Sequence, residues 1–111
     1  MPFDATPTID NPLTFSPGKE GLRKLAYVLR HKELWPAGYR WDYACHGKCA
    51  MGISASIFKV GRYGHAHTGH MAKAFGLANA ESEELFLGQE MGASANDIAD
   101  AIVRYLATGH V

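Results

Sequence analysis

The stretch CAMGISASIFKV, residues 49–60, decides the fold of this chain. Ile53 and Ile57 lie four residues apart, which is the spacing of side chains on one face of a helix. Met51 falls on the opposite face and makes that face apolar as well. Because a helix that is apolar nearly all round is usually central and buried, we predict a buried helix over about residues 49–59.

Helix signals recur on both sides of this segment. Ser16 and Pro17 are a typical N-cap and first residue of a helix, and the apolar spacing after them predicts an amphipathic helix. Further along, Ser94 and Asp97 have the spacing of a capping box. In all, four more helices are predicted: one from Pro17, one through Met71 to Phe75, one capped by Asn79 and ending at Gly88, and one from Ser94 to Gly109.

Two segments are predicted to lie outside the helices. Tyr39 and Trp41 belong to an alternating aromatic pattern, which predicts a short strand or extended segment near residues 39–44. Prolines recur every five residues at the start of the chain and disfavour helix there, so residues 1–16 are predicted to form an extended N-terminal arm. Residues 17–111 then form a single helical domain. The predicted fold class is all-α, a small bundle of about five helices.

The composition indicates neither a membrane protein nor a secreted one. No apolar run approaches the ~20 residues of a membrane span, and the first residues lack the basic start and apolar block of a secretory signal. We therefore expect a cytoplasmic location and no membrane partner. Because cytoplasmic thiols stay reduced, the two cysteines favour free thiols or a metal site over a disulfide.

Charge is distributed unevenly along this neutral chain. Residues 19–73 carry ten basic and three acidic residues, a balance of +7, whereas residues 79–111 carry one basic and six acidic residues, a balance of −5. Such an asymmetry indicates either a basic surface for an anionic partner or an acidic end that packs on the basic part and neutralises it. We favour the second interpretation, because a dedicated nucleic-acid domain usually keeps a net basic charge.

A short motif surrounds the two cysteines. In residues 45–52 three residues separate the two cysteines, and the second cysteine opens the sequence Cys-Ala-x-Gly at the start of the buried helix. This motif, with the Leu-Arg-Lys-Leu of residues 22–25 and the Leu-Phe-Leu-Gly of residues 85–88, resembles small uncharacterised bacterial and phage proteins. The resemblance extends over about residues 20–106 and carries no activity with it.

The cysteines and histidines suggest a metal site. Cys45 and Cys49 could supply two thiolates, and the His-x-His-x-x-His pattern of His65, His67 and His70 could supply imidazoles. Two sulfurs and two nitrogens suit tetrahedral zinc. The alternative is that the cysteines are core residues and that the histidines lie on a solvated glycine-rich loop.

The same residues suggest a nucleophile. Cys49 is predicted at a helix N-terminus, where the helix dipole and the neighbouring Lys48 stabilise a thiolate. His65, His67 or His70 could then act as the base. A buried, unreactive thiol is the more common outcome for a cysteine at the start of a buried helix.

Residues 72–77 resemble the first half of a helix-turn-helix, which suggests DNA binding. Ser82, however, occupies a position where that motif needs an apolar side chain, and the would-be recognition helix carries three glutamates that phosphates would repel. A helix pair joined by a glycine turn is the favoured interpretation. Any remaining affinity for nucleic acid should depend on Arg23 and Arg30.

A partner-binding module is the last interpretation. Tryptophan and tyrosine are frequent anchors of interfaces, and this chain has several between residues 35 and 43. We therefore predict a small cytoplasmic binding or regulatory protein with a protein partner or self-association and a Cys/His site that could hold zinc. A cysteine- or metal-dependent enzyme is the alternative, and nucleic acid is not an expected partner.

Overall fold

The computed structural model describes residues 11–43 and 48–110 of the chain. In these ranges it contains five α-helices and one 3₁₀ turn, with almost no β-structure. They are α1 Gly18–Leu29, the 3₁₀ turn Lys32–Leu34, α2 Ala50–Phe58, α3 Thr68–Phe75, α4 Asn79–Leu87 and α5 Ala95–Thr108. The predicted all-α bundle of about five helices is confirmed. No helix in the described part of the chain has the length and apolar character needed to cross a bilayer.

The first and last helices form the centre of the packing. α1 packs most extensively on α5 and also touches α3 and α2, while α4 packs on α3 and α5. Leu22 and Leu25 of α1 and Ile98 and Ile102 of α5 are fully buried. Each such side chain contributes roughly 1.5–3 kcal/mol by leaving water, so the contact between α1 and α5 is a major source of stability.

The apolar helix α2 is buried as its sequence predicts. Seven of its nine residues are buried, and Met51 and Ile53 are completely enclosed. Cys49 is its N-cap, and it ends at Lys59, whose φ of 59° lies in the left-handed region. That conformation is uncommon for a residue other than glycine, and it turns the chain sharply toward residues 60–65.

The structure confirms one of the three predicted helix N-caps. In α5 the backbone N–H of Ser94 donates to Asp97 Oδ2, and the N–H of Asp97 donates to Ser94 Oγ, so the predicted capping box is present. The predicted caps of α1 and α4 are wrong, since Pro17 and Ala78 hold those positions. The Ser16 hydroxyl is engaged elsewhere, because it accepts a hydrogen bond from the Lys24 ammonium at 2.9 Å.

The aromatic segment after α1 is an irregular connection rather than a strand. Residues 39–43 have no strand partner, and the one isolated bridge in the described ranges joins Arg62 to His65. Side-chain hydrogen bonds from the aromatic residues hold the segment instead. Trp35 Nε1 donates to the carbonyl oxygen of Val28, and Tyr39 Oη donates to the carbonyl oxygen of Cys49. Trp41 Nε1 donates to the carbonyl oxygen of Ala93. These aromatic residues therefore fasten the connection onto the bundle.

The end of the predicted N-terminal arm is docked on the domain. Phe15 packs against Phe58 and Phe75 with ring centroids 6.5 and 6.2 Å apart. The Lys24 ammonium also donates to the carbonyl oxygen of Thr14 at 2.9 Å. The rest of the predicted arm, residues 1–10, lies outside the described residues.

Candidate functional site

Cys49, the predicted nucleophile, is a buried residue. It is the N-cap of α2, and the residue is 2% exposed. Its carbonyl oxygen accepts a hydrogen bond from the Tyr39 hydroxyl at 2.8 Å. The second predicted thiolate, Cys45, lies in residues 44–47, outside the described residues.

A buried tyrosine lies near the Cys49 thiol. Burial is the main cause that raises the pKa of Tyr43 above its ordinary 10.0, and the charges of Cys49 and Glu84 raise it further. A hydrogen bond from the backbone N–H of Gln89, 2.8 Å from the Tyr43 hydroxyl oxygen, acts in the opposite direction. The N-terminal end of α2 therefore faces the interior near the end of α4.

Two of the predicted histidine ligands cap a helix. His67 is the N-cap of α3, and its backbone N–H donates to Nδ1 of His70 at 3.1 Å. The two rings stack with centroids 5.5 Å apart. The sequence prediction missed this capping pair because it treated residues 62–70 as a loop, whereas α3 already begins at Thr68. The His-x-x-His spacing, which places the acceptor nitrogen of His70 three residues after the N-cap, is the signal that could have revealed it.

The described residues contain no assembled metal site. Over residues 11–43 and 48–110 no group of three or more histidine, cysteine, aspartate or glutamate side chains could hold a metal ion. Cys49 and the three histidines of residues 65–70 therefore do not form such a group by themselves. Zinc binding through Cys45 and these residues stays a prediction, as does catalysis by Cys49 with His65 or His67.

His65 belongs to a tight turn that projects a tyrosine. The backbones of Arg62 and His65 exchange two hydrogen bonds of 2.9 Å, and Tyr63 and Gly64 between them both have positive φ, 53° and 78°. Positive φ at both central positions defines a type I′ turn, which favours Asn-Gly. Tyr63 is nevertheless present, and its residue is 95% exposed.

A groove lies beside this turn, and we call it the basic groove. It has a volume of about 550 Å³, within the usual size range of ligand sites. Three cationic side chains and a histidine line it together with an apolar floor, and none of the described residues of its lining carries a carboxylate. The cationic residues are Lys59, Arg62 and Lys73, the histidine is His70, and the floor is made of Phe15, Phe58, Val60 and Ala74.

The cations of the basic groove differ from Arg23 and Arg30 in their ion pairing with carboxylates. Arg23 forms an ion pair with Glu20 at 2.7 Å, and Arg30 forms one with Asp100 of α5. Within the described residues no carboxylate forms an ion pair with a cation of the basic groove. The acidic end of the chain therefore neutralises part of the basic region, at Arg30, and leaves the groove positive.

The segment that resembles a helix-turn-helix forms a closely joined helix pair. Gly76, with a φ of 68°, ends α3, and α4 follows after a short turn. Ser82, at the position where an apolar residue was expected, is fully buried, and its hydroxyl donates to the carbonyl of Thr68 at 2.6 Å. Glu83 and Glu84 lie on the exposed side of α4.

Comparison with protein-family models, curated protein sequences and solved structures found no match for this chain. The resemblance of residues 45–52 to small bacterial and phage proteins stays a prediction. The basic groove is thus the feature of the described residues from which a function is best inferred.

Proposed function

We propose that this chain is a small cytoplasmic binding protein and that the basic groove holds an anionic ligand. One observation carries the proposal: Lys59, Arg62 and Lys73 line one groove together with an apolar floor, and no described residue of that lining carries a carboxylate. Cations gathered at a low-dielectric wall raise the local concentration of anions and form strong charge-assisted hydrogen bonds with them.

The apolar floor selects among anions. Phe15 and Phe58 line the groove together with the cations, so a ligand with an apolar or aromatic part gains free energy by covering them. A simple inorganic anion contacts only the charged rim. The preferred ligand is therefore an organic phosphate or carboxylate.

His70 supplies the groove with a hydrogen-bond donor. Its Nδ1 accepts from the backbone N–H of His67, which places the proton of the neutral ring on Nε2. That N–H can then donate to an anion. Binding rather than catalysis is favoured because Cys49, the candidate nucleophile, is buried at the other end of α2 and does not line this groove.

The experiment is thermal unfolding in the presence of pyrophosphate, with sodium chloride of equal ionic strength as the reference. A ligand that binds the folded state raises the Tm in proportion to the logarithm of its concentration. We expect this rise in the wild type and in Lys32→Glu, an exposed cation outside the groove. We expect its loss in Lys73→Glu. Equal responses in all three proteins, or none in the wild type, would contradict an anion site in the groove.

A further inference from the structure

A second hollow shares lining residues with the basic groove. It has a volume of about 340 Å³ and is also lined by Ala55, Ser56 and the turn residues Tyr63 and Gly64. Lys59, Val60 and Gly61 line both cavities. A chain-like ligand could therefore run from one hollow to the other across Lys59.

Each hollow offers an aromatic ring. Phe15, 39% exposed, lines the basic groove, and Tyr63 lines the second hollow. Cations line the same hollows as these rings, since Lys59 lines both and Arg62, which precedes Tyr63 in the sequence, lines the basic groove. Alternation of exposed rings with cations is the pattern by which proteins hold single-stranded nucleic acids, with bases stacked on rings and phosphates on cations.

The conformation of Tyr63 supports a ligand-binding role for its ring. A bulky residue in the left-handed region costs on the order of 1–2 kcal/mol, and a ring that is 95% exposed recovers little of this by burial. Strained residues of this kind cluster at ligand-binding sites, where a ligand gains from the fixed geometry.

We propose that the anionic ligand of the basic groove is single-stranded nucleic acid, with bases stacked on Tyr63 and Phe15 and phosphates on Lys59, Arg62 and Lys73. This inference rests on the proposed function, and it replaces the expectation from sequence that nucleic acid is not a partner and that any affinity for it depends on Arg23 and Arg30. A peptide of acidic residues alone would satisfy the cations but has no rings for Tyr63, and duplex DNA keeps its bases stacked inside. The binding is indifferent to sequence. With three phosphate contacts, a plot of the logarithm of the binding constant against the logarithm of the salt concentration should have a slope of about −2.

The test is fluorescence anisotropy with a labelled ten-residue oligothymidylate. The competitors are an abasic oligomer of the same length, polyglutamate of equal charge, pyrophosphate and duplex DNA. We expect oligothymidylate to bind more tightly than every competitor. Tyr63→Ala should weaken it on the order of tenfold, because stacking contributes about 1–3 kcal/mol per base, while Tyr63→Phe keeps the affinity.

Three controls make the result decisive. Tyr63→Gly removes the ring and suits the positive φ, so it separates lost stacking from a disturbed turn. Lys73→Glu should weaken oligothymidylate and pyrophosphate alike, and Lys32→Glu should weaken neither. Circular dichroism checks that each variant is folded.

The outcomes separate the two proposals. If abasic oligomer or polyglutamate binds as tightly as oligothymidylate and Tyr63→Gly has no effect, the nucleic-acid inference fails while the anion site stands. Tighter binding of duplex DNA also overturns the inference. If neither oligothymidylate nor pyrophosphate binds, both proposals fail.

Discussion

The backbone N–H of His67 donates a hydrogen bond to Nδ1 of His70 at 3.1 Å. This bond begins α3, and it also orients the imidazole that lines the basic groove. A pair that the sequence suggests as metal ligands thus serves as a helix cap in the structure.

Replacement of His70 tests its role as a cap. His70→Ala removes the acceptor of the His67 N–H and should lower the free energy of unfolding by roughly 1 kcal/mol. His70→Gln offers a side-chain oxygen at the third position of a capping box and should recover part of this loss. Urea unfolding measures both. Equal losses in the two variants would show that the hydrogen bond to His67 does not stabilise α3.

The zinc prediction has a separate test. If Cys45, Cys49 and the histidines of residues 65–70 bind zinc, protein purified without a His-tag should contain near-stoichiometric metal, and a Cys45→Ser/Cys49→Ser double variant should lose it. Structural zinc is coupled to folding, so a chelator should also lower the Tm. Metal-free protein whose Tm does not respond to chelation rules zinc out.

Two glycines in neighbouring helices should respond oppositely to alanine. A Cβ on Gly21 of α1 would lie 1.9 Å from the carbonyl oxygen of Ser16 and 2.9 Å from the Phe75 ring, whereas a Cβ on Gly69 of α3 would meet nothing within 4 Å. Gly21→Ala should therefore destabilise the protein by about 1–3 kcal/mol. Gly69→Ala should stabilise it by roughly 0.5–1 kcal/mol through helix propensity. Chemical denaturation measures the free energy of unfolding of the two variants. A Gly21→Ala protein as stable as the wild type would show that the arm does not pack on α1 as described.

Alkaline pH should destabilise the fold through two tyrosines. Burial is the main cause that raises the pKa values of Tyr43 and Tyr105 above 10.0, and at Tyr105 the charge of Glu81 and a hydrogen bond to it add to this. The folded state then holds these protons more tightly than the unfolded state. The stability they contribute is fully present below about pH 10 and is lost as the pH rises through the folded pKa values.

Absorbance at 295 nm measures this titration directly. Part of the tyrosinate signal should appear at a higher pH than a tyrosine with the ordinary pKa of 10.0 gives, and Tyr105→Phe should remove a share of that late part. The free energy of unfolding should also fall less steeply above pH 10 in Tyr105→Phe. If the tyrosinate absorbance that appears at high pH is unchanged in both Tyr105→Phe and Tyr43→Phe, the raised pKa values do not belong to these two tyrosines.

The sequence predicts the helices well because their signals are local. Apolar spacing alone identifies the buried faces of α1 and α5, and the Ser94–Asp97 box lies within four residues. Ser16 shows the limit of such signals. Its hydroxyl has the right position for a cap, yet it bonds to Lys24, and only the packing of the arm on α1 brings these two side chains together.

The candidate site could not be predicted in this way. Phe15 of the arm, Lys59 after α2 and Lys73 of α3 are distant in sequence and meet only in the folded chain. The sequence instead directs attention to clustered cysteines and histidines and to the arginines of α1. Those arginines are held by carboxylates, which sequence spacing shows for Glu20 but not for Asp100.

Backbone chemical-shift mapping with pyrophosphate tests the basic groove most directly. A titration of ¹⁵N-labelled protein should move the amide signals of Lys59, Arg62, His70 and Lys73 together along one binding curve. The signals of Arg23 and Arg30 should stay in place, because their guanidinium groups are already paired with carboxylates. Shifts centred on α1, or no saturable shift in residues 59–73, would contradict the central claim that the basic groove is the anion site.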